Sequence, residues 1–303
     1  MKRIEDFCIV IADSIKDALG DEVSVEYRPV VKNNGVIYHA VLIRKKDENV
    51  SPTIYLDSFY MEYRKGAVIE YLVKEVISVY KKSICESDID VSFFGDFAKV
   101  SEHLAFKVVN YEKNKKELTK VPIKRFEDLA LVPICVVDDF MKRSGSVVIN
   151  KQHLDMWEVS EEELWENVDE YAEKNFPVMV KGIEEFVSMR TGISLEEMIP
   201  TIFVVSNKSL CNGASAIFFP GVLEKIAETM HSDVLILPSS IHETIAVPSC
   251  GNIEMDSHLI DMVKEVNRTT LASEEILSDS VYFYNAQEKT IVNIESLVSR
   301  KKS

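Results

Sequence analysis

Beyond residue 200 the apolar residues fall into short runs at a regular rhythm, and this rhythm restricts the fold more than any other feature of the chain. Residues 201–205 and 214–219 have the length and the β-branched or aromatic content of strands, and a helical pattern follows over 220–230. Strands over 234–237 and 244–247 precede a helix over 256–266, and strands over 281–284 and 290–294 close the series. Runs this short suit strands better than buried helices. Hairpin, helix, hairpin, helix, hairpin predicts an antiparallel or mixed sheet with helices on one face. It is not the strict strand–helix alternation of a doubly wound fold.

The first hundred residues read differently. Ile4, Phe7, Cys8, Ile11, Ile15, Ala18 and Leu19 recur at helical spacing, and Gly20 is a natural stop. Strands over 23–31 and 36–43 are joined by Asn33-Asn34-Gly35, residues that take the positive φ angles of a hairpin turn. A strand over 52–56, a helix over 59–64 capped by Asp57 or Ser58, and a helix over 67–82 follow. Residues 110–120 are charged and precede Pro122, so they read as a solvated linker. The predicted domains are 1–115 and 116–303. Strands over 129–137 and 146–149 flank a turn at 138–145, and Ser160-x-x-Glu163 and Ser194-x-x-Glu197 are capping boxes. The fold class is α+β: an N-terminal helix plus a small antiparallel sheet with helices, then a larger antiparallel or mixed sheet built of hairpin-helix units.

Composition narrows the function. The 303 residues are 46% hydrophobic, enough for a sizeable core. The longest apolar runs, 8–12 and 129–137, fall well short of the roughly 18 residues that span a bilayer. Asp13 and Lys16 interrupt the apolar start, and no small-residue cleavage site follows, so the expected location is cytoplasmic. Cys8, Cys85, Cys135, Cys211 and Cys250 are odd in number and form no CxxC pair. Reduced thiols are expected, with no zinc site and no other metal or cofactor. A net charge of −15 disfavours nucleic acid and anionic lipid as partners.

Two polar stretches invite chemistry. Within LILPSSIHETIAVP, residues 235–248, a hydrolase would use Ser240 as nucleophile, His242 as base and Glu243 as the orienting carboxylate. Neighbours on a strand point to opposite faces, so His242 and Glu243 do not readily pair. Neither G-x-S-x-G nor H-E-x-x-H occurs, and Pro238-Ser239-Ser240 suits the tip of a hairpin. Ile245 and Val247 are the larger apolar pair, so their face of the strand is expected to be the better buried one. The second stretch, VSNKSLCNGAS at 205–215, offers Asn207, Lys208, Ser209 and Asn212 as ligand-binding residues. Its amides could cradle an anion that Lys208 neutralises. Cys211 is a further thiol without an assigned histidine, and no Walker A spacing is present.

Stretches across nearly the whole chain carry a family resemblance: KNNGV (32–36), SPTIYL (51–56), QHLDMWEVSEEELW (152–165), SNKSLCNGASAIFFPGVLEKIA (206–227), LPSSIHETIAVP (237–248) and VNRTTLASEEILSDSVY (266–282). Together they resemble a bacterial family, domain of unknown function 5688. The resemblance implies a free-standing cytoplasmic protein of this length, and no activity or catalytic residue. The expected function is non-catalytic binding of a protein partner or small ligand. The alternative is a hydrolase or transferase with its site at 206–213 and 238–243.

Overall fold

Helix α1 (Ile4–Leu19) buries Phe7, Cys8, Ile11, Ala12 and Ile15, and Gly20 ends it at φ 75. These residues face a three-stranded antiparallel sheet of β1 (Val23–Val31), β2 (Ile37–Lys45) and β3 (Thr53–Tyr55). Asn34 at φ 59 and Gly35 at φ 71 turn β1 into β2 in the expected place. Helices α2 (Asp57–Arg64) and α3 (Ile69–Ser83) complete the layer, with Leu72, Val76 and Tyr80 in the same core as Val41 and Ile43. Asp57 does not cap α2; it lies inside the helix, and its carboxylate accepts the His39 amide at 2.9 Å. The structure, a computed structural model, describes residues 2–45, 51–83, 92–138, 144–192 and 202–302. Cys85, the tip of the turn at 138–145 and the second capping box lie outside them.

The chain divides into two compact units, Met1–Ser92 and Phe93–Ser303. The boundary expected at 115/116 instead falls inside a helix. After α4 (Phe97–Ser101), strand β4 (Leu104–Asn110) runs directly into α5 (Tyr111–Leu118). The Asn110 carboxamide caps α5 by accepting the Lys113 amide. β4 pairs along β6 (Leu129–Asp138), whose other side carries β5 (Lys124–Phe126) and then β7 (Ser144–Val148). Pro133 is tolerated in this central strand because its missing N–H falls in the gap between β5, which pairs as far as Leu131, and β7, whose last residue Val148 lies opposite Ile134. Helices α6 (Lys151–Trp157) and α7 (Glu161–Asn175) follow, capped by Asn150 and Ser160.

The second sheet is wholly antiparallel. Its order is β13-β12-β10-β11-β9-β8, with β8 (Val178–Gly182), β9 (Phe203–Asn207), β10 (Val234–Pro238), β11 (Thr244–Pro248), β12 (Tyr282–Asn285) and β13 (Thr290–Asn293). Helix α8 (Ile183–Thr191) links β8 to β9, and α9 (Val222–Met230) precedes β10. Residues 214–219 are not a strand. Gly213–Phe218 form a buried 3₁₀ helix, because β8 and β11 already occupy both edges of β9. Helices also cover both faces rather than one. Leu223 and Ile226 of α9 share a core with Val205, Ile236 and Ala246. On the reverse face Leu235, Leu237 and Phe283 meet Ile260 and Val263 of α11 (Leu259–Thr269) and Ile294 of α12 (Ile294–Lys302). Between β11 and α11 a short helix, α10 (Ile253–Asp256), is capped by Asn252; Asp256 accepts from Ser249 and the Cys250 amide. Two-sided cover explains why every residue of β10 is buried.

Candidate functional site

Antiparallel pairing of β9 with β11, Val205 opposite Thr244, brings the exit of β9 and the β10–β11 tip to one end of the sheet. The two polar stretches therefore converge, as a composite site requires. Ser206 Oγ donates to the His242 carbonyl at 2.8 Å, and Ala214 N donates to the Ile241 carbonyl at 3.3 Å. Glycine is needed where they meet. A Cβ on Gly213 would lie 2.2 Å from Ser206 Oγ, 2.5 Å from the His242 carbonyl oxygen and 2.6 Å from Asn207 N. Leu210 and Asn212 both hold φ 55; asparagine takes this readily, leucine seldom.

The side chains at the junction chiefly serve backbone. Ser240 Oγ accepts the His242 amide at 3.0 Å. His242 Nδ1 accepts the Asn212 amide at 3.2 Å, which assigns the proton of the neutral ring to Nε2. Nε2 faces Glu275 Oε1 at 4.0 Å, beyond hydrogen-bond reach. Glu275 also accepts the Ile241 amide through its carbonyl, and nothing in the sequence singled it out, since only the fold brings it to the tip. Glu243 contributes its carbonyl, which accepts the Ser240 amide. Asn207 is 1% exposed. Its carboxamide accepts from Ser209 Oγ and Cys211 N and donates to the Cys211 carbonyl, so it holds the loop.

Four amides of the loop expected to cradle an anion are engaged within the protein. Lys208 N donates to Pro177, Leu210 N to the Asn207 carbonyl, Cys211 N to the Asn207 side chain and Asn212 N to His242. The groups left facing outward are Lys208, Ser209, Cys211, the Asn212 carboxamide and the His242–Glu275 pair. Burial pushes the Cys8 and Cys135 thiols up to about 12, with Asp57 and Glu5 adding to the shift at Cys8. Cys211 and Cys250 are exposed, and all four are free thiols. Among the described residues no three His, Cys, Asp or Glu side chains are arranged to hold a metal ion.

The burial of β11 reverses the expected order. Thr244 and Ala246 are fully buried, while Ile245 and Val247 are half-buried against the smaller core of the reverse face. Sequence reading also missed a polar cluster that ties the two sheets of this unit together. Asp128, in the β5–β6 turn, accepts from Ser278 Oγ at 2.6 Å and from Tyr282 OH at 2.7 Å. Burial, then the Asp128 charge, pushes the Tyr282 hydroxyl well above the ordinary phenol range.

A model of a family of unknown function (DUF5688) matches residues 4–286. The chain belongs to this family. No curated protein and no solved structure matches it. The family match spans both units and includes the converging loops. No helix among the described residues is long and apolar enough to cross a membrane.

Proposed function

We propose that the chain is a non-catalytic cytoplasmic protein that binds a small polar ligand at the outward rim of the converging loops. One observation carries this reading. The groups a nucleophilic mechanism would use are engaged by backbone: Ser240 Oγ accepts the His242 amide, and His242 Nδ1 accepts the Asn212 amide. Among the described residues of these loops no hydroxyl is hydrogen-bonded to the His242 ring, the pairing on which such catalysis depends. The rim keeps donors and acceptors of both kinds in Lys208, the Asn212 carboxamide and the His242–Glu275 pair, which suits recognition of a polar molecule. The hydrolase or transferase alternative draws on that same imidazole–carboxylate pair beside the exposed Cys211.

Amide spectra recorded against a panel of small carboxylates, phosphates and amines test the proposal. Shifts confined to 206–213, 238–243 and Glu275, lost in Lys208→Ala, are expected. A fluorophosphonate or iodoacetamide probe separates the readings. Stoichiometric labelling of Ser240, or of Cys211 at rates that collapse in His242→Ala, would establish an activated nucleophile and overturn non-catalytic binding.

A further inference from the structure

Strand β8 ends the six-stranded sheet, and among the described residues no strand pairs with its outer edge. The parity of the ladder decides which backbone groups this leaves open. Lys208 N donates to the Pro177 carbonyl at 2.9 Å, and Ile183 N donates to the Ile202 carbonyl at 3.0 Å. Antiparallel pairing alternates, so residues 177, 179, 181 and 183 turn their backbone toward β9. Val178 and Val180 present N–H and C=O outward. Their side chains, on one face of the sheet, line a groove of about 490 Å³ together with Phe203 of β9 and Val222 and Ile226 of α9. Val180 remains 39% exposed. None of these residues belongs to the converging loops.

We propose that β8 receives an extended segment of a partner protein as an added antiparallel or parallel strand, the segment alternating apolar and basic residues. Open edges are ordinarily blunted by proline, a bulge or a charge at the exposed positions. Here the outward positions are Val178, Val180 and Gly182, none of them charged or a proline, and the one charged residue of the strand, Lys181, projects from the other face and is ion-paired with Glu185. An incoming strand gains main-chain bonds from Val178 and Val180, while every second side chain enters the apolar groove. Glu173 and Lys225 also line the groove, so its own charge is balanced. The bias comes from the chain as a whole: at −15 it repels a second copy and attracts a basic segment.

The probe is a blocked, fluorescent peptide of alternating valine and lysine, about seven residues long. In the free protein the amides of Val178 and Val180 should exchange much faster than those of Met179 and Lys181, and the peptide should slow them. Affinity should fall with added salt. Val180→Pro removes a donor that the β8–β9 ladder does not use, so the fold should persist while binding weakens about tenfold. A peptide N-methylated on the amides that meet β8 should not bind; this arm leaves the protein untouched and holds even if the proline variant misfolds. Four results overturn the proposal: no binding of the parent peptide, equal binding of the N-methylated peptide, Val178 and Val180 amides already protected in the free monomer, or a dimer of this chain that Val180→Pro dissolves.

Discussion

Gly213 is the residue on which the loop junction depends. Its backbone passes so close to Ser206, Asn207 and His242 that a single methyl group has no room, and two of the three obstructing atoms are backbone. Gly213→Ala should therefore cost stability at the upper end of the ~1–3 kcal/mol typical of overpacking, and should weaken any ligand binding at the rim. Gly145→Ala is the control, because its nearest obstruction, the Val137 carbonyl oxygen, lies at 3.8 Å. Denaturant unfolding of both variants decides the matter; equal stabilities would show that the loops yield easily. Asn207, His242 and Ser240 were recognisable in the sequence as polar residues between apolar strands. That His242 accepts the Asn212 amide was not, because only folding brings the two loops together; Ser240 and Asn207, by contrast, hold backbone of their own loops.

At the scale of elements, α5 shows how a charged segment becomes ordered. Residues 110–120 lack a broad apolar stripe, which is why they resemble a linker. Yet Asn110 caps the first turn, Asn114 donates back to the Asn110 carbonyl at 2.8 Å, and Leu118 is buried with Val109, Val121 and Ala130. Arg125 lies over the Tyr111 ring at 4.1 Å, covering it from β5. Limited proteolysis should leave residues 111–118 intact in the native protein, since helical backbone does not extend into a protease cleft. Asn110→Ala should remove about 1 kcal/mol and make this stretch the first to be cut. Early cleavage of the wild-type chain here would mean that the cap and Leu118 do not hold the helix. The strand assigned to 214–219 failed for a related reason. Its apolar content suits a strand, but β9 had no free edge to offer it.

The whole molecule is organised as two units, each with its own core. In Met1–Ser92 the core residues Phe7, Ile11, Ile15, Ile43, Leu56, Leu72 and Val76 are at most 1% exposed, and fully burying such side chains contributes roughly 1.5–3 kcal/mol each before entropy is counted. A fragment of residues 1–92 should therefore fold alone, giving a dispersed amide spectrum and one cooperative thermal transition. A collapsed, undispersed spectrum would show that this core needs the rest of the chain. The α+β class, the N-terminal helix and hairpin, most of the later strands and family membership were legible in the sequence, because periodicity, turn residues and local apolar runs are properties of neighbours in the chain. The two-sided cover of the second sheet, the place of the unit boundary, the Asp128–Tyr282 link and the open edge of β8 were decided by tertiary structure. Each depends on which strand lies beside which, and a short strand carries almost no local record of its partner, since backbone pairing bonds are alike for every residue but proline.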